Sequence, residues 1–211
     1  MCNLIRTHLM EQDDSTLLTG EVEADETAYG GKPKASMTRG MTMPEVQTFA
    51  KGRKAGIMAM VERGGRVRAY VQPREGALET VSLHMDPTAI VYTDEWAGYR
   101  KLRSTHPTHL TIRHTDRVYA SGDVHTQTIE GFFGSVKNGI AGNYRRVSAK
   151  WLQFYVNEYA WRYSHRYADG RSMFAKLLGR AVTVEPRRFG GCYRHGSLRW
   201  GHASDKDRPG G

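Results

Sequence analysis

The chain has 211 residues, with 31 Lys and Arg against 22 Asp and Glu, for a formal net charge of +9. That length admits one compact domain with a sizeable core and a short tail. Two cysteines, Cys2 and Cys192, exclude a disulfide framework and a CxxC zinc site; no apolar run approaches the roughly 20 residues that span a bilayer, and the opening Met-Cys-Asn-Leu-Ile-Arg lacks the apolar core of a secretory signal.

Residues 1–17 are mixed and polar and read as the end of a helix. Gly20 to Tyr29 reads as a strand, closed by Gly30-Gly31-Lys32-Pro33. Residues 33–54 are polar and rich in Gly, Lys and Arg, the composition of a long loop. Ala55–Val61 and Arg66–Val71 flank a central Gly64-Gly65, which predicts a hairpin. Ala77–Leu83 reads as a short helix broken by Asp86-Pro87, and Ala89–Thr93 is the continuous apolar run of a buried strand. Trp96–Leu102 reads as a short helix and His109–Ile112 as a further strand. Thr126 or Thr128 could cap a helix to about Lys137, with Ile129, Phe132, Phe133 and Val136 as its apolar stripe. Ser148 could cap a longer helix to about Tyr167, with Trp151, Tyr155 and Tyr159 at core-forming spacing. The chain from 179 to 211 is Gly/Arg-rich without periodicity and reads as a disordered basic tail. This order predicts an α/β fold, a mixed sheet flanked by helices.

Three acidic segments concentrate the chemistry: Asp25 in the first strand, Asp94 after the buried strand and Glu130 in the first turn of a helix. Each has an ordinary structural reading. Asp25 could be a solvent-facing strand residue, Asp94 a helix N-cap, and Glu130 a favourable partner of the helix dipole. Rivals stand close by: Glu21, Glu23 and Glu26 beside Asp25, Glu95 beside Asp94, and Glu158 further on, itself spaced for an i,i+4 pair with Arg162. Taken together, carboxylates from two strands and a helix can converge on a pair of Mg²⁺ ions for phosphoryl transfer on nucleic acid, one ion activating the nucleophile and the other stabilising the leaving oxygen. A carboxylate shared by both ions is required at their spacing of roughly 3.5–4 Å, and Asp25 is the candidate. Mutual repulsion would raise the acids' pKa values until metal binds.

The sequence around each acid resembles the IS1595 (ISXO2-like) insertion-sequence transposases. Asp25-Glu-Thr-Ala-Tyr-Gly-Gly-Lys32 is similar to their first acidic motif and Thr93-Asp94-Glu-Trp-Ala-Gly-Tyr99 to the second. His125 to Tyr144 resembles the third, and Trp151 to Tyr163 the segment after it, so the resemblance covers about residues 18–168. It implies an RNase H-like core at 18–178 and a DDE active site, with Asp25, Asp94 and Glu130 as both catalytic residues and ligands of two Mg²⁺ or Mn²⁺ ions. The implied partner is double-stranded DNA, at the element ends and the target, bound by a homo-oligomer in a bacterial, nucleoid-associated cytoplasmic setting. Gln127, Phe133 and Asn138 depart from the family's usual Asn, Trp and basic residue. Family members usually begin with a zinc ribbon and a helix-turn-helix region, whereas only about 20 residues precede the first motif here. The expectation is a remnant segment at 1–17 and a truncated or split copy without its end-recognition module.

Lys32, Lys137, Arg145, Arg146 and Lys150 cluster after two of the motifs and are the candidate phosphate contacts, against a plain solvated face. The spacings of His106, His109, His114 and His125 match no compact zinc pattern. His125 is a candidate auxiliary group near the scissile phosphate. Besides a transposase, the sequence is compatible with an inactive DNA-binding remnant or a stand-alone RNase H-like nuclease.

Overall fold

The computed structural model describes residues 5–12, 15–30, 37–51, 54–72, 76–111 and 127–183. Its centre is a five-stranded sheet: β1 (Glu21–Tyr29), β2 (Ala55–Glu62), β3 (Val67–Val71), β4 (Ile90–Thr93) and β5 (His109–Thr111), in the order β3-β2-β1-β4-β5. Strands β1, β2 and β3 form an antiparallel meander, while β4 joins β1 and β5 joins β4 in parallel. The β2–β3 turn needs a left-handed residue, supplied by Gly64 (φ 72°).

Among the described residues, five α-helices accompany the sheet: α1 (Met43–Lys51), α2 (Ala77–His84), α3 (Gln127–Gly139), α4 (Ala149–Ser164) and α5 (Gly170–Thr183). A 3₁₀ helix spans Ala97–Ser104, and π-helical turns occupy Ile5–Leu9 and Ile140–Tyr144. Alternation along the strands divides the core in two. Ile57, Ala59, Val61, Ala69 and Val71 face Ile129, Phe132, Val136, Leu152 and Val156 of α3 and α4. Val22, Ala24, Met58, Met60, Tyr70 and Val91 face Val81, Tyr99 and Leu102 on the other side. Helix α3 carries its apolar residues at helical spacing and buries that whole stripe. Tyr159 closes the α3–α4 junction, and a Cβ on Gly139 would lie 1.9 Å from its hydroxyl.

The 33–54 region is not all loop. The Thr42 amide and hydroxyl both donate to Glu45 Oε2 (2.7 and 2.8 Å), a local closure that starts α1 within the predicted loop. The tail boundary at 179 also moves. Residues 179–183 complete α5, whose Arg180 donates to the Leu9 and Glu11 carbonyls (2.9 and 2.7 Å). Ser148 precedes α4 as expected, but its side chain makes no cap hydrogen bond. Segment 5–12 packs on the domain: buried Arg6 meets buried Glu158 (2.5 Å), and Gln12 bridges the Ala69 carbonyl and Asn157.

Candidate active site

Asp25, the central residue of β1, shares a face with Glu23 and Thr27. Register fixes that face: Glu23, Asp25 and Thr27 pair with Val61, Ala59 and Ile57, all of the core beneath α3 and α4. Asp25 is therefore turned towards the helix that carries Glu130.

Two long-range bonds fasten α3 along β1 on either side of Asp25. The Ile129 amide donates to buried Glu23 Oε2 (3.0 Å), and Lys137 Nζ donates to Thr27 Oγ1 (2.5 Å). Glu23 to Thr27 is about 13 Å of extended strand and Ile129 to Lys137 about 12 Å of helix, so the two ties match in length. Glu130 follows directly on the first tie and is exposed. Glu23 thereby satisfies one of the orphan N–H groups of the helix start from another strand. Its own charge is met by Arg63 (3.0 Å), which also pairs with Glu21 (2.6 Å) and lies over the Tyr92 ring.

Asp94 enters from β4. The parallel register aligns Glu21 with Ile90, Val22 with Val91 and Glu23 with Tyr92. Continued by two residues, it brings Asp94, at the C-terminal end of β4, beside Asp25 in the middle of β1. Asp94 Oδ1 accepts from the Trp96 amide (2.9 Å), two residues on, but Trp96 and not Asp94 is the N-cap of the 3₁₀ helix, so Asp94 is not the helix cap that the sequence offered as its ordinary reading. Burial, above all, pushes the Asp25 carboxyl up from 3.8 to about 7; the Glu26 amide, donating to its Oδ1 (2.7 Å), opposes that shift, and the charges of Asp94, Glu26 and Glu130 reinforce it.

The rival acids have structural partners. Glu21 and Glu23 are held by Arg63. Glu26 is on the opposite face and accepts from the Tyr99 hydroxyl. Glu158 is buried between Arg6 and Arg162 (2.8 Å to the latter). Arg145, Arg146 and Lys150 are exposed beyond α3, with Lys150 4.9 Å above the Trp151 ring. Lys32, His114 and His125 lie outside the described residues. His106 and His109 are buried, His109 bonded to Thr93 (2.8 Å), and burial lowers its pKa.

Oxygen donors from two strands and a helix suit a hard divalent cation, and the negative charge gathered at Asp25 would be relieved by one. Among the described residues, no three Asp, Glu, His or Cys side chains are drawn together tightly enough to hold a metal as they stand. The Glu23 tie to α3 and the Thr27–Lys137 contact had no sequence signal, because each joins residues more than 100 positions apart.

A β3-β2-β1-β4-β5 mixed sheet with helices on both faces is an RNase H-like fold. Residues 17–164 match the family model of the ISXO2-like transposase domain, and the chain belongs to that family. Membership gives it a transposase function, of nucleotidyl-transferase type, with DNA as the partner. No curated protein and no solved structure matches the chain. No helix among the described residues is long and apolar enough to cross a membrane.

Proposed function

We propose that this chain is a DDE catalytic domain that cuts DNA at the ends of an insertion sequence and joins the freed 3′-hydroxyl to target DNA. The observation that carries the proposal is the fastening of α3 along β1, which brackets Asp25 with ties at Glu23 and Thr27 and leaves Glu130 directly after the first. Asp25, Asp94 and Glu130 would hold two Mg²⁺ or Mn²⁺ ions, which when bound activate the attacking water or 3′-hydroxyl and stabilise the leaving oxygen.

The residues divide the remaining work. Asp25, with neighbours on two sides, is the shared ligand. Its raised pKa means that the metal-free site carries less negative charge near neutral pH than three free carboxylates would. Lys137, exposed near the mouth of the site, takes a DNA phosphate, and Lys32, Arg145, Arg146 and Lys150 extend that contact along the duplex. His125 is proposed as an auxiliary group at the scissile phosphate. The working form is a homo-oligomer on paired ends, acting on nucleoid DNA in a bacterial cytoplasm.

A strand-transfer assay with pre-cleaved element ends tests this. Joined product in Mg²⁺ or Mn²⁺, lost in Asp25→Ala, Asp94→Ala and Glu130→Ala with DNA binding retained, is the expected result. Binding without any joining by the wild type would instead identify a non-enzymatic remnant. Cleavage of generic DNA or RNA–DNA hybrid without joining would identify a nuclease.

A further inference from the structure

The parallel ladder between β1 and β4 ends at Glu23 and Tyr92, two residues short of Asp25 and Asp94. Strand β1 runs on to Tyr29, while the chain leaves β4 after Thr93 and turns into the 3₁₀ helix. Strand pairing therefore brings Asp94 towards Asp25 without fixing the gap between them. Carboxylates that share Mg²⁺ need that gap held closely, because the ion demands near-ideal octahedral geometry.

A second connection closes the gap from the other face of the sheet. Tyr99, 1% exposed, reaches from the 3₁₀ helix to β1, donates its hydroxyl proton to Glu26 Oε2, and comes within 3.4 Å of Met58 Sδ on β2. Burial, then the charges of Glu26, Asp25 and Asp94, keep that hydroxyl protonated, so the donor is permanent. Glu26 directly follows Asp25 in the chain. A closed ring results: Asp25 to Glu26 through the backbone, Glu26 to Tyr99 through the hydrogen bond, and Tyr99 back to Asp94 through the short segment 94–99.

That segment is itself stiff. Asp94 Oδ1 accepts from the Trp96 amide, and the Tyr99 amide donates to the Trp96 carbonyl (3.0 Å). The Trp96 ring stands edge-on to the Tyr99 ring, centroids 5.1 Å apart, and lies over Gly98, where a Cβ would overlap it. A displacement of Tyr99 is thus passed on to Asp94.

We infer that Glu26 and Tyr99 form a clamp that sets Asp94 against Asp25, which makes both of them positioning residues of the metal site. Glu23 fastens α3, and with it Glu130; Glu26 does the same for the segment that carries Asp94. Strand β1 then supplies one ligand and the fasteners of the other two. The inference rests on the DDE reading above and deepens it.

The test compares Tyr99→Phe, Glu26→Leu, the double variant and Glu26→Gln in the whole protein. Each single apolar change strands a polar partner and should lower thermal stability, whereas the double variant removes both groups and should recover most of it. A clamp that only supported the fold would let function recover with stability. The expected result is the reverse. In the double variant, Mn²⁺ affinity by electron paramagnetic resonance with pre-cleaved ends bound, and the joining rate at saturating DNA, should each fall about 10- to 100-fold, the range for groups that orient metal ligands. DNA affinity in EDTA should not change. Without metal, amide hydrogen exchange of segment 94–99 should quicken in the double variant, and that of the β2–β3 hairpin should not. Glu26→Gln keeps an acceptor for Tyr99 and should stay close to wild type throughout. If the double variant does not fold, Glu26→Asp, which keeps the charge but falls a methylene short of Tyr99, should show the same losses. Wild-type Mn²⁺ affinity and joining in the variants that break the clamp, unchanged exchange of 94–99, or a Glu26→Gln as impaired as they are would each overturn the inference. Wild type that neither takes up Mn²⁺ nor joins DNA would refute the DDE reading, and the inference with it.

Discussion

Replacing Asp25 by Asn should make the metal-free protein more stable, and only above acid pH. The folded carboxyl titrates at about 7 and the unfolded one near 3.8, so between these values the folded state holds a proton that the unfolded state has released. Stability then falls as pH rises, the reverse of the usual salt-bridged aspartate. Across the full gap the loss is about 4 kcal/mol at pH 8 and about 1 kcal/mol at pH 4.5, or about half of each if solvent relaxation is generous. Asn removes the titration and keeps an amide oxygen to accept from the Glu26 amide. Urea unfolding in EDTA should give Asp25→Asn a gain of about 2–4 kcal/mol at pH 8, a shift in midpoint without a change in slope, and a much smaller gain at pH 4.5. Excess Mg²⁺ should stabilise the wild type and not the variant. Equal stability of the two proteins at pH 8, or the same difference at both pH values, would refute the reasoning.

Glu23→Ala should destabilise by about 3–5 kcal/mol, because Arg63 and the Ile129 amide both lose a buried partner. Glu23→Gln keeps an acceptor for Ile129 and should fold, yet lower the rate of joining more than DNA affinity, since Glu23 positions Glu130 without touching substrate; equal losses in rate and affinity would contradict that role. Lys137→Ala should reduce the salt slope of duplex binding by about 0.9, the share of one phosphate, in a filter-binding titration over several salt concentrations. Glu158→Gln leaves Arg6 buried without its counter-charge and should lower thermal stability by about 3 kcal/mol with the joining chemistry unaltered at permissive temperature.

The strands and the buried stripe of α3 were legible because their periodicities report faces that really are buried. The candidate acids were legible through the short segments around them, which local spacing alone could not distinguish from capping or surface residues. Helix α1 hid inside polar sequence, although Thr42 and Glu45 hold the spacing of a capping box and could have revealed it. Helix α5 hid for a different reason: none of its residues is buried, so its sequence carries no core-facing stripe to find. Glu23 looked like one more rival carboxylate. Its part in the site depends on a helix 106 positions away, a relation that only the folded chain expresses.

The central claim is that Asp25, Asp94 and Glu130 form one metal site. Manganese titration followed by electron paramagnetic resonance tests it directly, with pre-cleaved DNA ends bound. The account predicts two bound Mn²⁺ per chain in the wild type, loss of both in Asp25→Ala, and loss of at least one in Asp94→Ala and in Glu130→Ala. Mn²⁺ uptake that is the same in all four proteins would contradict it.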